Sequence, residues 1–179
     1  MEKKQVLNLA DLLGRMKMLK RTGWVKRQVA NPESDADHSY SLAMLAFLLA
    51  PQELDLLKCL KLALIHDLPE AFCGDFVPGE LEPAEKAKLE LSAMQKICSD
   101  ISCPELMDLF NEYEQHSSPE AEFVWALDRL DNVFTARFYE QKSDLSLVDE
   151  FAAGTLQRIN SLKDKNLAEK LQKILNTLS

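Results

Sequence analysis

The sequence predicts an all-α protein. Apolar residues recur at intervals of three and four along most of the chain, which is the spacing of one helix face. Runs that alternate apolar and polar residues, as half-buried strands do, are scarce. Only five glycines and seven prolines interrupt the 179 residues. This length suits one domain with a sizeable core, and we therefore predict a single-domain helical bundle over residues 1–179.

The first predicted helix covers residues 4–20, where apolar side chains form one stripe. Gly23 and Pro32 interrupt the segment that follows, so it should be a loop. A strongly apolar helix is then expected over residues 37–50. These helices should pack their apolar faces together and bury them from water.

Local signals set the ends of the next elements. Asp35 or Asp37 can cap the apolar helix, because a short carboxylate accepts from the unpaired N–H groups of a first turn. Pro51 suits the first turn of a further helix, which should run to about His66. Pro69 is placed to open a short additional turn of helix.

The second half of the chain is also helical. A proline opens each of two expected helices, and Ser118 is a plausible cap for the longest periodic run, "SSPEAEFVWALDRLDNVFTARFYEQK". The last expected helix, "LAEKLQKILNTLS", is short and amphipathic, which makes it a candidate for self-association. The other predicted helices lie at residues 83–100, 104–115 and 145–161.

Composition excludes several classes of protein. The net charge is −8 and the pI is near 5.0, whereas nucleic-acid polymers and membrane surfaces are normally bound by a basic face. The four cysteines form no Cys-x-x-Cys pair, so a zinc knuckle is not expected. No apolar run approaches the roughly 20 residues that span a bilayer, and the N-terminus lacks a signal-peptide core. We expect a cytoplasmic protein with reduced thiols.

Histidine and aspartate, which commonly bind metals in proteins, occur at the ends of the apolar helical segments and within one of them. His38 starts the first strongly apolar helix, His66 and Asp67 end the next, and Asp128 lies within the longest one. A carboxylate inside an apolar run is costly unless a cation pairs with it. Two imidazoles and two carboxylates suit a transition metal such as Mn, Co, Fe, Ni or Zn, with Mg less favoured. A single divalent ion is therefore expected.

The same residues carry a family resemblance. The ordered set His38, His66-Asp67 and Asp128 resembles the H…HD…D pattern of HD-domain metal-dependent phosphohydrolases. The segments "LKRTGWVKRQV", "PESDADHSYSLAMLA", "LALIHDLPEAFCGDFVP" and "EFVWALDRLDN" are similar to the subgroup of bacterial 5′-deoxynucleotidases and their eukaryotic HD-domain relatives. This motif core covers residues from about 19 to 132, and the helices over 143–179 are left for packing or a dimer contact.

The resemblance implies roles for individual residues. His38, His66, Asp67 and Asp128 would be the metal ligands. Glu70 would be the catalytic carboxylate, which orients or deprotonates water or passes a proton to the leaving oxygen.

Three further residues would bind the substrate. By the same resemblance, Arg21 would clamp the phosphate and Trp24 would shape the sugar side of the pocket. Asp75 would take part in catalysis or contact the deoxyribose. "RTGW" places two residues between the arginine and the tryptophan, which are adjacent in the bacterial enzymes, so rejection of ribose is not implied.

Several functions remain open at this point. We expect a phosphomonoesterase that hydrolyses (deoxy)nucleoside 5′-monophosphates to nucleoside and phosphate, acting as a homodimer like members of that subgroup. Another HD phosphohydrolase, which acts on a nucleoside triphosphate or a cyclic nucleotide, would use the same ion. A dimeric module that binds metal and nucleotide without catalysis is the third alternative.

Overall fold

The computed structural model of the chain describes residues 1–178. The predicted all-α fold is confirmed. The helices in chain order are α1 (Lys3–Met18), α2 (Thr22–Lys26), α3 (Asp35–Leu49), α4 (Leu56–Ile65), α5 (Glu70–Cys73), α6 (Pro83–Ile101), α7 (Glu105–Glu114), α8 (Pro119–Glu140), α9 (Val148–Ser161) and α10 (Lys165–Leu178). Within the described residues, β-pairing is limited to an isolated antiparallel bridge between Lys20 and Ser34.

The helices form two compact units. The first contains Met1–Tyr40 and Leu64–Gln115, and the second contains Ser41–Ala63 and the chain from His116 onward. The assignment of the whole chain to one domain therefore stays a prediction.

The first unit is built on α1, α5, α6 and α7. Helix α6 packs against α1, α5 and α7, and α1 also packs against α5. The core between these helices consists of buried apolar side chains: Leu12, Met16, Ile65, Ala71, Met94, Ile97 and Phe110. Burying a side chain of the size of Met94 completely contributes about 1.5–3 kcal/mol, so this core holds the polar residues at its edge in place.

The second unit is built on α8, α9 and α10, which all pack against one another. The longest helix, α8, is capped by Ser118, whose hydroxyl accepts from the Ala121 N–H at 3.1 Å. The apolar face of α10 is buried through Leu167, Leu171 and Leu175. Because this face packs within its own unit, it does not remain as a surface for self-association.

Two local predictions are wrong. The segment around Gly23, expected to be a loop, contains the short helix α2 (Thr22–Lys26), whose first turn is fixed because the Asp75 carboxylate accepts from the Thr22 N–H at 2.6 Å.

One helix start also differs from its prediction. Helix α4 begins at Leu56, and Pro51 lies in a turn that Leu54 closes by donating its N–H to the Pro51 carbonyl at 3.2 Å. The cap is Asp55, whose carboxylate accepts from the Lys58 N–H at 3.2 Å. A side-chain acceptor at residue 55 therefore overrides the preference of proline for a first turn. None of the described helices is long and apolar enough to cross a membrane.

Candidate metal centre

The start of α3 is anchored by two local devices. Ser34 and Asp37 form a capping box, because the Asp37 carboxylate accepts from the Ser34 N–H at 2.8 Å and the Ser34 hydroxyl accepts from the Asp37 N–H at 3.2 Å. The backbone of Asp35 also donates to the Leu19 carbonyl at 3.0 Å. These bonds fix the first turn of α3, which carries His38.

His66 and Asp67 lie in the turn that follows α4. This turn leads directly into α5, since the Glu70 N–H donates to the Asp67 carbonyl at 3.0 Å. Helix α5 ends at Gly74, whose φ of 90° lies in the region that glycine adopts without steric cost. Gly74 thereby ends α5 and redirects the chain immediately before Asp75.

The side chains of His38, His66 and Asp67 converge in the first unit. Their ligand atoms all lie within 4.8 Å of one another. The two imidazole Nε2 atoms are 3.2 Å apart, and Asp67 Oδ2 lies 3.0 Å from His66 Nε2 and 3.7 Å from His38 Nε2. His38 is fully buried and His66 is 5% exposed.

Two of these three distances, 3.2 Å and 3.0 Å, fit a shared transition-metal ion directly, and the third, 3.7 Å, is slightly longer. Metal–nitrogen and metal–oxygen bonds are about 2.0–2.2 Å long. Two such bonds that meet at a tetrahedral or octahedral angle hold their outer atoms about 3–3.5 Å apart. Neutral imidazole nitrogens and a carboxylate oxygen are also the donors that such ions prefer. His38, His66 and Asp67 therefore form a cluster able to hold a metal.

Arg21 lies beside this cluster. Its backbone N–H donates to the Glu33 carbonyl at 3.1 Å, and its guanidinium donates to Asp67 Oδ2 at 2.8 Å. Burial alone would raise the pKa of Asp67, but the adjacent His66, Arg21 and His38 outweigh it and hold this pKa below its ordinary value. Asp67 is therefore ionised at neutral pH and ready to act as a ligand.

A second cluster consists of three carboxylates. Oxygens of Asp35, Glu70 and Asp75 also lie within 4.8 Å of one another. Asp75 is tied to the start of α2, since it accepts from the Thr22 N–H at 2.6 Å. Both oxygens of Asp35 and one oxygen of Glu70 are buried without a hydrogen-bond partner among the described residues. Such groups are rare in proteins and call for an explanation.

The protonation of this cluster follows from its burial. Burial and the nearby charge of Asp67 raise the pKa of Asp35 to about 7. Burial, followed by the charges of Asp67, Asp75 and Asp35, raises the pKa of Glu70 well above its ordinary value. Asp35 and Glu70 therefore resist ionisation until a positive charge lies beside them.

Two predicted site residues, Trp24 and Asp128, belong to neither of these two clusters. Trp24 is 1% exposed and its indole N–H donates to Glu33 at 2.7 Å, while its role beside a sugar stays a prediction. Asp128 lies on α8 in the second unit, where its Oδ2 accepts from Arg158 Nη1 at 2.9 Å. Its role as a fourth ligand also stays a prediction.

Sequence reasoning missed some residues near the site. It treated Asp35 only as a possible cap, although Asp35 and His38 are spaced i, i+3 and so share a helix face. Lys86, whose Nζ lies 4.0 Å from Glu70 Oε1 and 3.0 Å from Glu90 Oε1, carried no motif at all. Burial raises the pKa of the Cys73 thiol to about 11, so this cysteine stays protonated at neutral pH and is a poor nucleophile.

The all-α fold and the cluster of two histidines and an aspartate place this chain in the class of helical proteins that are able to hold a metal. Sequence comparison then identifies the family. The family model described as "HD domain" matches residues 13–175. The chain belongs to the HD-domain family.

Relatives in several eukaryotes are 5′-deoxynucleotidases by name. The chain is 39% identical over 140 residues to the 5′-deoxynucleotidase HDDC2 of Danio rerio, a match that covers 76% of this chain and 70% of the relative. It is 39% identical over 142 residues to the human 5′-deoxynucleotidase HDDC2, with 76% and 69% covered. The 5′-deoxynucleotidase hdd1 of Schizosaccharomyces pombe is 34% identical over 145 residues, with 76% and 73% covered.

A solved structure resembles the whole chain. The PH0347 protein from Pyrococcus horikoshii OT3 superimposes with a TM-score of 0.82 at 34% identity, and the match covers 97% of both chains. A predicted metal-dependent phosphohydrolase from Magnetospirillum magnetotacticum superimposes with a TM-score of 0.64 at 23% identity, which supports the fold alone.

Proposed function

We propose that this protein is a metal-dependent 5′-nucleotidase that hydrolyses deoxynucleoside 5′-monophosphates to nucleoside and phosphate. The observation that carries the proposal is the convergence of His38, His66 and Asp67, with Arg21 bonded to Asp67. The names of the curated relatives narrow the reaction from phosphohydrolysis in general to 5′-deoxynucleotidase activity.

The ion belongs with His38, His66 and Asp67, and Asp128 would complete the ligand set. When bound, a divalent metal lowers the pKa of water and polarises a phosphoryl oxygen. Arg21 would orient the phosphate. A guanidinium carries five N–H donors in a planar fork, so one arginine can hold Asp67 and a phosphate oxygen together.

Glu70 is proposed as the proton-transferring group. It begins α5, three residues after Asp67, and lies 4% exposed at the edge of the cluster. Its raised pKa favours the protonated form, which suits donation of a proton to the departing 5′-oxygen. Hydrolysis forms a P–O bond from water to phosphorus and breaks the P–O bond to the 5′-oxygen. That oxygen leaves as the nucleoside 5′-hydroxyl once it has gained the proton, and the phosphoryl group leaves as orthophosphate.

Asp75 and Trp24 are proposed to contact the sugar, as the family resemblance implies.

A second cation could bind at the three converging carboxylates Asp35, Glu70 and Asp75. The unpaired, buried oxygens of Asp35 support this extension. An ion there would stabilise the negative charges of Asp35 and Asp75, while Glu70 keeps its proton for transfer. Elemental analysis of the purified protein, which distinguishes one bound ion from two per chain, tests this extension of the expected single-ion site.

A substrate panel tests the proposed reaction. The protein is freed of metal with a chelator, reloaded with Mn²⁺, Co²⁺ or Mg²⁺, and supplied with dAMP, dGMP, dCMP, dTMP and AMP. We expect orthophosphate release from the deoxynucleotides only when metal is restored. The variant Glu70→Gln tests the proton-transfer role separately from metal binding. It should lower kcat by about 10²–10⁴-fold while the metal remains bound at the histidines.

The same assay separates the alternatives. Tripolyphosphate as a product from a deoxynucleoside triphosphate would indicate a triphosphohydrolase, and a linear nucleotide from a cyclic one would indicate a phosphodiesterase. Metal-dependent nucleotide binding without any product would indicate a binding module. Each of these results contradicts the proposed monophosphatase activity.

We also propose a homodimer and a cytoplasmic location. Met44, Phe47 and Leu48 follow one another at helical spacing on α3, and their side chains are 39%, 55% and 67% exposed. No charged residue occurs between Ser39 and Gln52, so a second copy could pack on this face without bringing like charges together. Sedimentation equilibrium measures the mass that decides the oligomeric state.

A further inference from the structure

A charged side chain on α9 reaches the one predicted metal ligand of the second unit. Arg158 Nη1 donates to Asp128 Oδ2 at 2.9 Å and to the Trp125 carbonyl at 2.8 Å. Trp125 and Asp128 are spaced i, i+3 on α8, so a single guanidinium bridges the backbone and the side chain of the same helix face. Both charged side chains are only 16% exposed.

The guanidinium is also held on its flat face. Its central carbon lies 4.1 Å from the centroid of the Trp125 ring, a stacking arrangement that favours arginine over lysine. The His116 ring packs against the same indole at 4.2 Å between centroids. Arg158 is therefore constrained at its edge by two hydrogen bonds and at its face by an aromatic ring.

The helix that carries Arg158 is anchored one turn earlier. The Thr155 hydroxyl, which is 1% exposed, donates to the Arg129 carbonyl of α8 at 3.0 Å and to the Phe151 carbonyl of α9 at 2.9 Å. This contact fixes the register of α9 on α8 beside residue 128. The position of the guanidinium is thus set by backbone packing as well as by its own bonds.

We propose that Arg158 is the positioning residue for Asp128. Its bond to Oδ2 restrains the carboxylate, and Asp128 would then meet a metal with its side chain already ordered. The inference rests on the proposed function, because that proposal assigns Asp128 as a ligand. Hydrogen bonds to a ligating carboxylate orient it toward the ion, and losing such a partner weakens metal binding by about 10–100-fold.

Positioning and charge have opposite effects on metal affinity. A guanidinium close to the site repels a divalent cation, so removing its charge would strengthen metal binding if charge were its only influence. Removing an orienting group weakens metal binding, because the carboxylate must then be ordered at the moment of binding. The direction of the change therefore separates the two explanations.

The test is a Co²⁺ titration of the full-length, metal-free protein. Binding is followed by calorimetry and by the visible absorption of Co²⁺, neither of which depends on turnover. For Arg158→Met we expect a Kd about 10–100-fold weaker and an altered absorption spectrum. An unchanged or tighter Kd would overturn the proposal.

Two variants guard the interpretation. Lys163→Met removes a cation that pairs with Glu122 of α8 and is 82% exposed, and it should leave the Kd within about twofold of the original because it orients no predicted ligand. If Arg158→Met does not fold, Arg158→Lys decides the question. A lysine keeps the charge but lacks the planar guanidinium that stacks on the Trp125 ring and fixes the donor nitrogen. Weaker binding is therefore expected, and unchanged binding contradicts positioning.

Failure of the proposed function gives a different pattern. If Asp128→Ala retains the original Co²⁺ affinity, the ligand assignment is wrong and the role of Arg158 falls with it. If Asp128→Ala weakens binding but both Arg158 variants do not, only the positioning role is wrong. A protein that binds Co²⁺ and responds to Arg158→Met but releases no phosphate would refute the proposed reaction alone.

Discussion

The two units of this protein differ in how completely their carboxylates are paired. In the second unit, Asp128 pairs with Arg158 at 2.9 Å and Asp131 accepts from a serine hydroxyl. In the first unit, both oxygens of Asp35 and one of Glu70 lack partners among the described residues. The unpaired carboxylate oxygens of Asp35 and Glu70 therefore lower the stability of the first unit.

The difference indicates where a ligand acts. Unpaired buried carboxylates close to one another cost free energy in the metal-free protein, and a divalent cation would recover it. Paired carboxylates gain less from an added ion, since a fixed protein cation already balances their charge. The contrast between the units therefore predicts that metal binding affects the first unit strongly, and three variants test that contrast in order of decreasing effect.

The largest effect is expected for Asp67→Ala. This change removes the proposed ligand whose carboxylate lies near both His38 and His66, so bound metal and activity should be lost together. We expect kcat/KM to fall by about a thousandfold or more because the metal supplies the activated water and the phosphoryl polarisation. Elemental analysis and phosphate release measure the two losses separately.

The matched control is Asp11→Ala. Asp11 is an exposed carboxylate that pairs with Arg15 on α1, and its removal should change neither metal content nor kcat/KM. If Asp67→Ala misfolds, Asp67→Asn keeps the shape of the side chain and provides the same test. Full turnover with retained metal in a folded Asp67 variant would refute the assigned ligand set.

An intermediate effect, on stability, is expected for Asp35→Asn. The pKa of Asp35 is raised to about 7 from 3.8, so the folded protein binds a proton that the unfolded chain releases between these pH values. Stability of the metal-free protein is therefore lost as the pH rises from about 4 toward 7. Asparagine cannot ionise, so the variant should be more stable than the original protein by about 2–4 kcal/mol at pH 8.

Urea unfolding in the presence of a chelator measures this difference at pH 4.5 and pH 8. The advantage of Asp35→Asn should be small at the lower pH, where Asp35 is protonated in the folded protein. Saturating divalent cation should reduce the advantage at the higher pH. Equal stability of the two metal-free proteins at pH 8 would show that Asp35 carries no ionisation cost.

The smallest effect is expected for Lys58→Met in the second unit. Lys58 Nζ lies 3.1 Å from Glu120 Oε2, and the Asp55 N–H also donates to Glu120 at 3.1 Å. Such a partly exposed ion pair contributes about 0–1 kcal/mol, so unfolding measurements should show a small loss that added salt reduces. Metal affinity should stay unchanged, and a clear decrease would break the contrast between the units.

Helix existence was predictable along most of this chain, whereas the short helix α2 (Thr22–Lys26) and the start of α4 were not. The apolar periodicity of residues 83–100 and 104–115 was enough to place α6 and α7 nearly at their observed ends. The start of α4 was misplaced because a proline signal competed with the carboxylate cap at Asp55, and the cap prevailed. Local signals of similar strength cannot be ranked without the packing that selects between them.

The candidate site shows the same division. His38, His66 and Asp67 could be proposed from their order in the chain, because apolar helical runs rarely contain such groups without a partner. Asp35 was overlooked because a carboxylate in a first helical turn normally serves as a cap, and only the structure shows its two oxygens buried and unpaired. Arg158 belonged to no recognisable motif.

The sequence by itself determined the all-α class, the HD family and the choice of His38, His66 and Asp67 as candidate metal ligands, since periodicity and ligand chemistry are properties of residue type and spacing. Only the tertiary structure decided which charges face one another. Arg21 meets Asp67 across 46 residues and Arg158 meets Asp128 across 30. Such pairings depend on distance in space, which helix packing sets and local sequence does not encode.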